Sequence, residues 1–197
     1  MDGKWFITYR VFFLILPFLA IALYFFMVSI LLDPGLLGKY ASLSLAYFFP
    51  PAGKESVIPL MLTNNSFGSV LPIWATISAI VVMDVISSII ISYNWWFVEI
   101  IITHVPFLDK GYDFLQRKSE KYQGRGLVEI PLLIFMAIPF QGTGGISTSI
   151  IARIVGVSPR KTVLICFIGS LITTVLWTLW WTGFFSFFNN PFVLHIQ

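Results

Sequence analysis

Nine residues of this chain are of types that can hold charge, protons or anions inside an apolar protein. Lys54 and Glu55 follow a Pro-Pro-Ala-Gly break, and Asp84 lies inside a long apolar run. Glu129 opens another apolar segment, Arg153 closes one, and Gly142-Thr143-Gly144-Gly145 forms a small-residue turn between the two. A charge near the middle of a bilayer costs at least about 2.5–3.5 kcal/mol on insertion scales, so Lys54, Glu55 and Asp84 should face a cavity or a partner. The glycine turn opens a helical segment whose free N–H groups and positive dipole end suit an anion. Each feature also has a purely structural use. Lys54 and Glu55 can cap the segment beginning at Ser56. Asp84 can bond to Ser87 or Ser88, Glu129 can cap its own helix, and Arg153 can snorkel to the membrane edge. The glycines can let helices pack closely.

The surroundings of these residues are those of a membrane protein. Hydrophobic residues make up 57% of the 197 and charged residues only 11%, against roughly 25% charged in soluble domains. The net charge of +3 is too small to indicate a nucleic-acid partner. One cysteine, Cys166, excludes an internal disulfide, and two distant histidines argue against a metal site; no cofactor is implied. The Ser147-Thr148-Ser149 run lacks the Gly-x-Ser-x-Gly setting of a hydrolase nucleophile, so no enzymatic activity is expected. The glycine turn lacks the Gly-Lys-Ser/Thr ending of a nucleotide loop.

Three segments are long enough to cross a bilayer, at 11–32, 70–92 and 162–185. The run at 11–32 is also too long for a signal h-region of about 7–15 residues. Two other apolar stretches, 39–65 and 126–157, are each broken in the middle, by Pro50-Pro51-Ala52-Gly53 and by Pro139 to Gly145. Their halves reach about 18 Å as helix, half a membrane, and adjacent prolines cannot continue a helix. Each is expected to enter the bilayer, turn near mid-depth and leave on the same side. An amphipathic, charged connector fills 94–125, with Tyr93-Asn94-Trp95-Trp96 as interfacial anchor.

Pro50 with Pro139 and Gly53 with Gly142 repeat at an offset of 89 residues, and each break is followed by a half-helix, a polar turn and a full span. This order of features indicates an internal duplication. Lys4, Arg10, Lys110, Arg117, Lys118, Lys121, Arg125, Arg160 and Lys161 fall on one side and Lys39 on the other. The positive-inside rule then puts the N-terminus in the cytoplasm and the C-terminus outside, most simply in the plasma membrane. The two hairpins enter from opposite faces. The expected fold is all-α: an N-terminal span followed by an inverted repeat of re-entrant hairpin plus span, in one membrane domain. Inverted repeats with broken helices are the architecture of secondary transporters.

Gly53-Lys54-Glu55-Ser56-Val57-Ile58-Pro59-Leu60 and Pro139-Phe140-Gln141-Gly142-Thr143-Gly144-Gly145 resemble the paired signatures of the small multidrug export proteins, similar in design to the DedA superfamily. The resemblance covers about 39–177. It implies a transporter, and the DedA likeness implies movement of polyprenyl-phosphate carriers or other phospholipids between leaflets, often with proton coupling. The expected partners are membrane lipids and a second copy of the chain as a dimer. A structural subunit of a larger complex and a drug exporter are the alternatives.

Overall fold

The computed structural model describes residues 3–49, 52–104, 128–137 and 144–193. Among them are eight helices and no strand. They are α1 (Gly3–Leu31), α2 (Pro34–Ala46), α3 (Lys54–Leu62), α4 (Ile73–Tyr93), α5 (Trp95–His104), α6 (Glu129–Ala137), α7 (Gly145–Ile154) and α8 (Pro159–Val193). Three are long and apolar enough to cross a membrane: Phe12–Leu31 in α1, all of α4, and Pro159–Phe184 in α8. These are the three expected spans, with ends displaced by a few residues. The last helix, α8, runs beyond the expected end of its span at 185, to Val193.

The three spans have different surroundings. Only 11% of the α1 window is buried, against 67% for α4 and 44% for α8. Helix α4 is therefore the axis of the molecule and α1 its outermost wall. Phe18, Leu19, Leu23, Phe26 and Ile30 project outward from α1, as a lipid-facing helix requires. It is pinned at two points along its length: Phe13 stacks on Tyr93, Asn94 donates to the Phe13 carbonyl at 3.3 Å, and the Tyr24 hydroxyl bonds Tyr40 and Ser78.

Asp33-Pro34-Gly35, which follows the first span, starts the next helix. The Asp33 side chain accepts the Gly35 N–H at 2.8 Å and Pro34 takes the first helical position, where its missing N–H costs nothing. The first short-helix pair therefore begins at Pro34 rather than 39. α2 and α3 lie against each other, and Lys39, at the open end of the pair, donates to the carbonyls of Thr63, Gly68 and Ser69. The turn between α3 and α4 closes on an Asn65–Gly68 bridge, with Gly68 at φ +129°, a conformation that favours glycine. α7 ends at Gly156: the Val157 N–H reaches back to the Ala152 carbonyl at 2.9 Å while Gly156 sits at φ +86°, the Schellman arrangement. Of the expected connector at 94–125, α5 carries the first part and 105–127 lie outside the described residues.

Two cores form. The larger joins α1, α2, α3 and the first half of α4 through Val28, Tyr40, Leu43, Ile58, Met61 and Ile80, with Trp177 and Trp181 of α8 against it. The smaller joins α6, α7 and α8 through Leu132, Ala152, Val157 and Ile165. Helices α4 and α8 pack together along the centre. Asp84 bonds Ser170, and Trp177 and Trp181, in the second half of α8, pack against the core cluster that includes Ala75 and Ala79 from the first half of α4. The two helices are therefore antiparallel. α3 packs on α8 as well as on α4, and α7 packs on α4 as well as on α8, so each short-helix pair reaches the long helix of the other half.

Candidate functional site

The two short-helix pairs meet at Asp84. Asp84 is residue 12 of the 21 in α4, close to the midpoint of the span. It is 1% exposed, and Lys54 beside it is 4% exposed. The Lys54 ammonium lies 2.9 Å from Asp84 Oδ2 and 3.4 Å from the Ser170 hydroxyl. The Ser170 hydroxyl itself donates to Oδ2 at 2.5 Å. The other carboxylate oxygen, Oδ1, accepts the Gly145 N–H at 2.7 Å and the Tyr47 hydroxyl at 2.8 Å. Five segments thus hold one carboxylate: the residue after α2, the first residue of α3, α4 itself, the first residue of α7, and α8.

Local sequence explains each placement. Gly53 is the N-cap of α3, with Ser56 Oγ accepting the Gly53 N–H and donating to its carbonyl. That makes Lys54 the first residue of the helix and aims its side chain at the tip. Gly144 is the matching N-cap of α7 and leaves the Gly145 N–H free of an intrahelical partner. The helix contact there is tight. A Cβ on Gly145 would meet the Asp84 carbonyl oxygen and come 2.7 Å from the Asp84 Cα, and a Cβ on Gly144 would come 3.2 Å from the Tyr47 hydroxyl. Only glycine lets the two backbones approach this closely. The helix starts pair Gly53 with Gly144 and Lys54 with Gly145. Both Asp84 in α4 and Ser170 in α8 stand eleven residues beyond the first residue of their helix (84 − 73 and 170 − 159).

Burying an ion pair is costly, and it repays its desolvation only when the remaining lone pairs and protons are satisfied. Here all four of Asp84's bonds go to distinct donors. Glu55, the next residue along, is different. Its Oε1 is buried with no hydrogen-bond partner among the described residues, and the carboxylate folds back over Gly53.

The sequence-level candidates separate into groups. Lys54, Glu55, Asp84, Gly144 and Gly145 come together at the centre. Asp84 does not bond to Ser87, whose hydroxyl turns back to the Met83 carbonyl at 2.7 Å. The anion expected at the Gly145 N–H is a residue of the chain itself, Asp84. Glu129 and Arg153 stand elsewhere. Glu129, in the first turn of α6, pairs with Lys161 at 2.9 Å, and that hydrogen bond holds its carboxyl below the usual glutamate range. Arg153, eight residues or about 12 Å along α7 from Gly145, donates to the Val157 carbonyl at 2.6 Å and lies over the Trp95 ring. Gly142 and Thr143 lie outside the described residues, as do Pro50 and Pro139. Tyr47 and Ser170 were missed. A serine in an apolar span gives no signal alone, and the offset of 89 residues read from the two breaks sets Thr173, not Ser170, against Asp84. Among the described residues no three of His, Cys, Asp and Glu come together as a metal site would require.

Three apolar spanning helices around a buried charged centre define an integral membrane protein of the α-helical kind. The family model described as "Putative small multi-drug export protein" matches residues 55–176, more than half of the chain, and the chain belongs to that family. The matched stretch takes in Glu55, Asp84, Gly145 and Ser170, and begins one residue after Lys54. A search of curated proteins and of solved structures finds no match.

Proposed function

We propose that this member of an export family moves an anionic amphiphile across the bilayer, with a phosphate-bearing lipid of the polyprenyl-phosphate kind as the leading substrate. The path runs through a midplane site where two re-entrant hairpins, α2–α3 and α6–α7, enter from opposite faces as an inverted repeat. The observation that carries this reading is how Asp84 is held. An ammonium group, a helix N-terminal N–H and two hydroxyls surround its carboxylate, which are the donors that bind a phosphate or carboxylate ligand. Asp84 acts as a resident anion. When a substrate head group takes over Lys54 and the Gly145 N–H, Asp84 is displaced, the two hairpin tips lose their shared ligand, and the site can open. Glu55, the unpartnered carboxylate at the same tip, tunes release through protonation. The antiparallel packing of α4 and α8 supports the inverted arrangement, and the basic-residue asymmetry supports an N-terminus inside and a C-terminus outside the plasma membrane. A homodimer completes the wall around the path.

A second reading is favoured by one observation. Lys54, Asp84 and Glu55 carry formal charges of +1, −1 and −1, which sum to −1, so a cationic drug-like amphiphile is also matched electrostatically. The test is flux in proteoliposomes across a pH series, with a fluorescent phosphate-bearing lipid and a lipophilic cation as the two probes. The first reading requires pH-dependent flux of the anionic probe that Glu55→Gln abolishes in an inserted, folded protein. Flux of the cation alone selects the drug-export reading. If Glu55→Gln and Gly144→Leu both transport like the parent, the midplane site is wrong and the structural-subunit alternative gains.

A further inference from the structure

A hydroxyl inside a helix commonly bonds back to the carbonyl one turn earlier. Ser87, Thr162, Thr173 and Thr182 do so, on the carbonyls of Met83, Ser158, Gly169 and Thr178, at 2.7, 3.1, 2.7 and 2.9 Å. A second set does not. The side-chain oxygens of Thr76 and Ser92 in α4, Thr148 in α7, and Thr174 and Thr178 in α8 are buried with no hydrogen-bond partner among the described residues, as is the Trp177 indole nitrogen. All five hydroxyl residues are at most 2% exposed. Unpaired burial of a polar group costs free energy, and nearly all such groups in folded proteins are paired. Their places are ordered about the centre. Thr76 and Ser92 stand eight residues to either side of Asp84, so they mark out about 24 Å of the roughly 30 Å hydrocarbon core. Because α8 runs antiparallel to α4, Thr174 and Thr178, one and two turns beyond Ser170, lie on the Thr76 side. Trp177 between them packs on the core cluster that holds Ala75 and Ala79. Thr148 follows Gly145 by three residues on α7, which leads from the centre towards the start of α8, the Ser92 side. We infer that these groups form a hydroxyl track along which a polar head group crosses the molecule, from one membrane face through the Lys54–Asp84 centre to the other.

The chemistry of the track suits passage rather than capture. A hydroxyl both donates and accepts, so it can serve a head-group oxygen or a water equally. None of the six groups is charged, so an anion is held at the centre alone, by Lys54 and the Gly145 N–H. The track is closed in this structure. Parting the helices around it breaks no hydrogen bond of these side chains, and each then gains a partner in water or in the head group. Serine and threonine also serve simply to let membrane helices pack closely. That role keeps water out at all times, whereas a route admits it whenever it opens. The inference rests on the transport reading and extends it from the midplane site to the whole crossing. Its test asks only whether polar solutes reach these positions, with no substrate and no flux.

The experiment is thiol labelling of the full chain in vesicles with a charged, membrane-impermeant methanethiosulfonate. Cys166→Ser removes the single native cysteine. Single cysteines then replace Thr174 and Thr178 in one half of the track, Ser92 and Thr148 in the other, and Leu176 and Leu179 on the lipid side of α8. The two leucines are 58% and 61% exposed, so exposure in the structure and reactivity should run in opposite order. The Thr174→Cys and Thr178→Cys proteins should react from the face that carries the α3–α4 turn, and Ser92→Cys and Thr148→Cys from the opposite face. Each should react at least about tenfold faster than Leu176→Cys or Leu179→Cys, because the reactive thiolate forms where water reaches. Gel filtration confirms that each variant is folded, and two positions per half keep the test decisive if one misfolds. Buried thiols as slow as the two lipid-facing ones overturn the inference, and so does reaction in one half alone. Fast labelling in both halves without flux of either lipid or cation probe upholds the route and overturns the substrate reading, so the two fail separately.

Discussion

Replacing Lys54 by Met and Asp84 by Asn, singly and together, separates the cost of a lone buried charge from the worth of the pair. Met keeps most of the lysine's volume and Asn most of the aspartate's, so packing changes little. Lys54→Met leaves a carboxylate 1% exposed with its Ser170, Tyr47 and Gly145 donors but no counter-charge. Asp84→Asn leaves the ammonium beside neutral groups only, the amide and the Ser170 hydroxyl at 3.4 Å. Breaking a buried pair by removing one partner costs about 3–5 kcal/mol, so each single change should fall in that range. The double change leaves no unpaired charge. It should cost less than the sum of the two, with a coupling of about 3 kcal/mol, at the upper end of what contacting residues show. For a chain of this size 1 kcal/mol moves the unfolding midpoint by about 2–4 °C, so each single variant should melt about 6–20 °C low and the double variant well above either. Tryptophan fluorescence in mild detergent reads the midpoints. If the single costs simply add to within about 0.5 kcal/mol, the two side chains do not act as a pair and the reasoning about the centre fails.

Other outcomes follow from the same geometry. Gly145→Ala should cost about 1–3 kcal/mol or more, because the new methyl meets Asp84 backbone atoms that cannot swing away. Gly38→Ala, where a Cβ meets nothing within 4 Å, should be neutral or stabilising by up to about 1 kcal/mol; equal midpoints for the two alanine variants would contradict the helix contact. At Glu129 the hydrogen bond from Lys161 lowers the folded pKa. The resulting stabilisation is present above the ordinary glutamate pKa and is lost as pH falls through the lowered value. Hydrogen exchange at the start of α6 should therefore speed up only in acid below the usual glutamate range, and Lys161→Ala should move that onset upward. For topology, a cysteine at position 36 should label only from outside and one at position 120 only from the cytoplasm; the reverse pattern would refute the proposed orientation.

The coarse architecture was legible because membrane helices write their length into composition. Runs of 20 or more apolar residues marked the three spans, and paired prolines and glycines marked where shorter helices had to start. The glycine turn before Ile146 correctly announced free N–H groups at the tip of α7. What those groups bind was not legible. Asp84 and Gly145 are 61 residues apart, and which pair of short helices crosses to which span is a matter of tertiary packing, on which periodicity is silent. That Lys54 rather than Glu55 pairs with Asp84 was hidden for the same reason. Adjacent residues at a helix start differ by about 100° in direction, and only the packing of α3 on α8 decides which one faces Asp84. Tyr47 and Ser170 stayed hidden because a hydroxyl is cheap enough to bury that its presence in an apolar run draws no notice until its partner is known.

The most direct test of the central claim is flux of a fluorescent phosphate-bearing lipid through reconstituted Asp84→Asn protein, compared with the parent across pH. If Asp84 is the resident anion that yields to substrate, the neutral variant holds its substrate without a group to displace it. Flux should fall to about a tenth of the parent's or less, with pH dependence lost and insertion unchanged. Flux at the parent's rate at every pH would mean that the Lys54–Asp84 centre only holds the fold together.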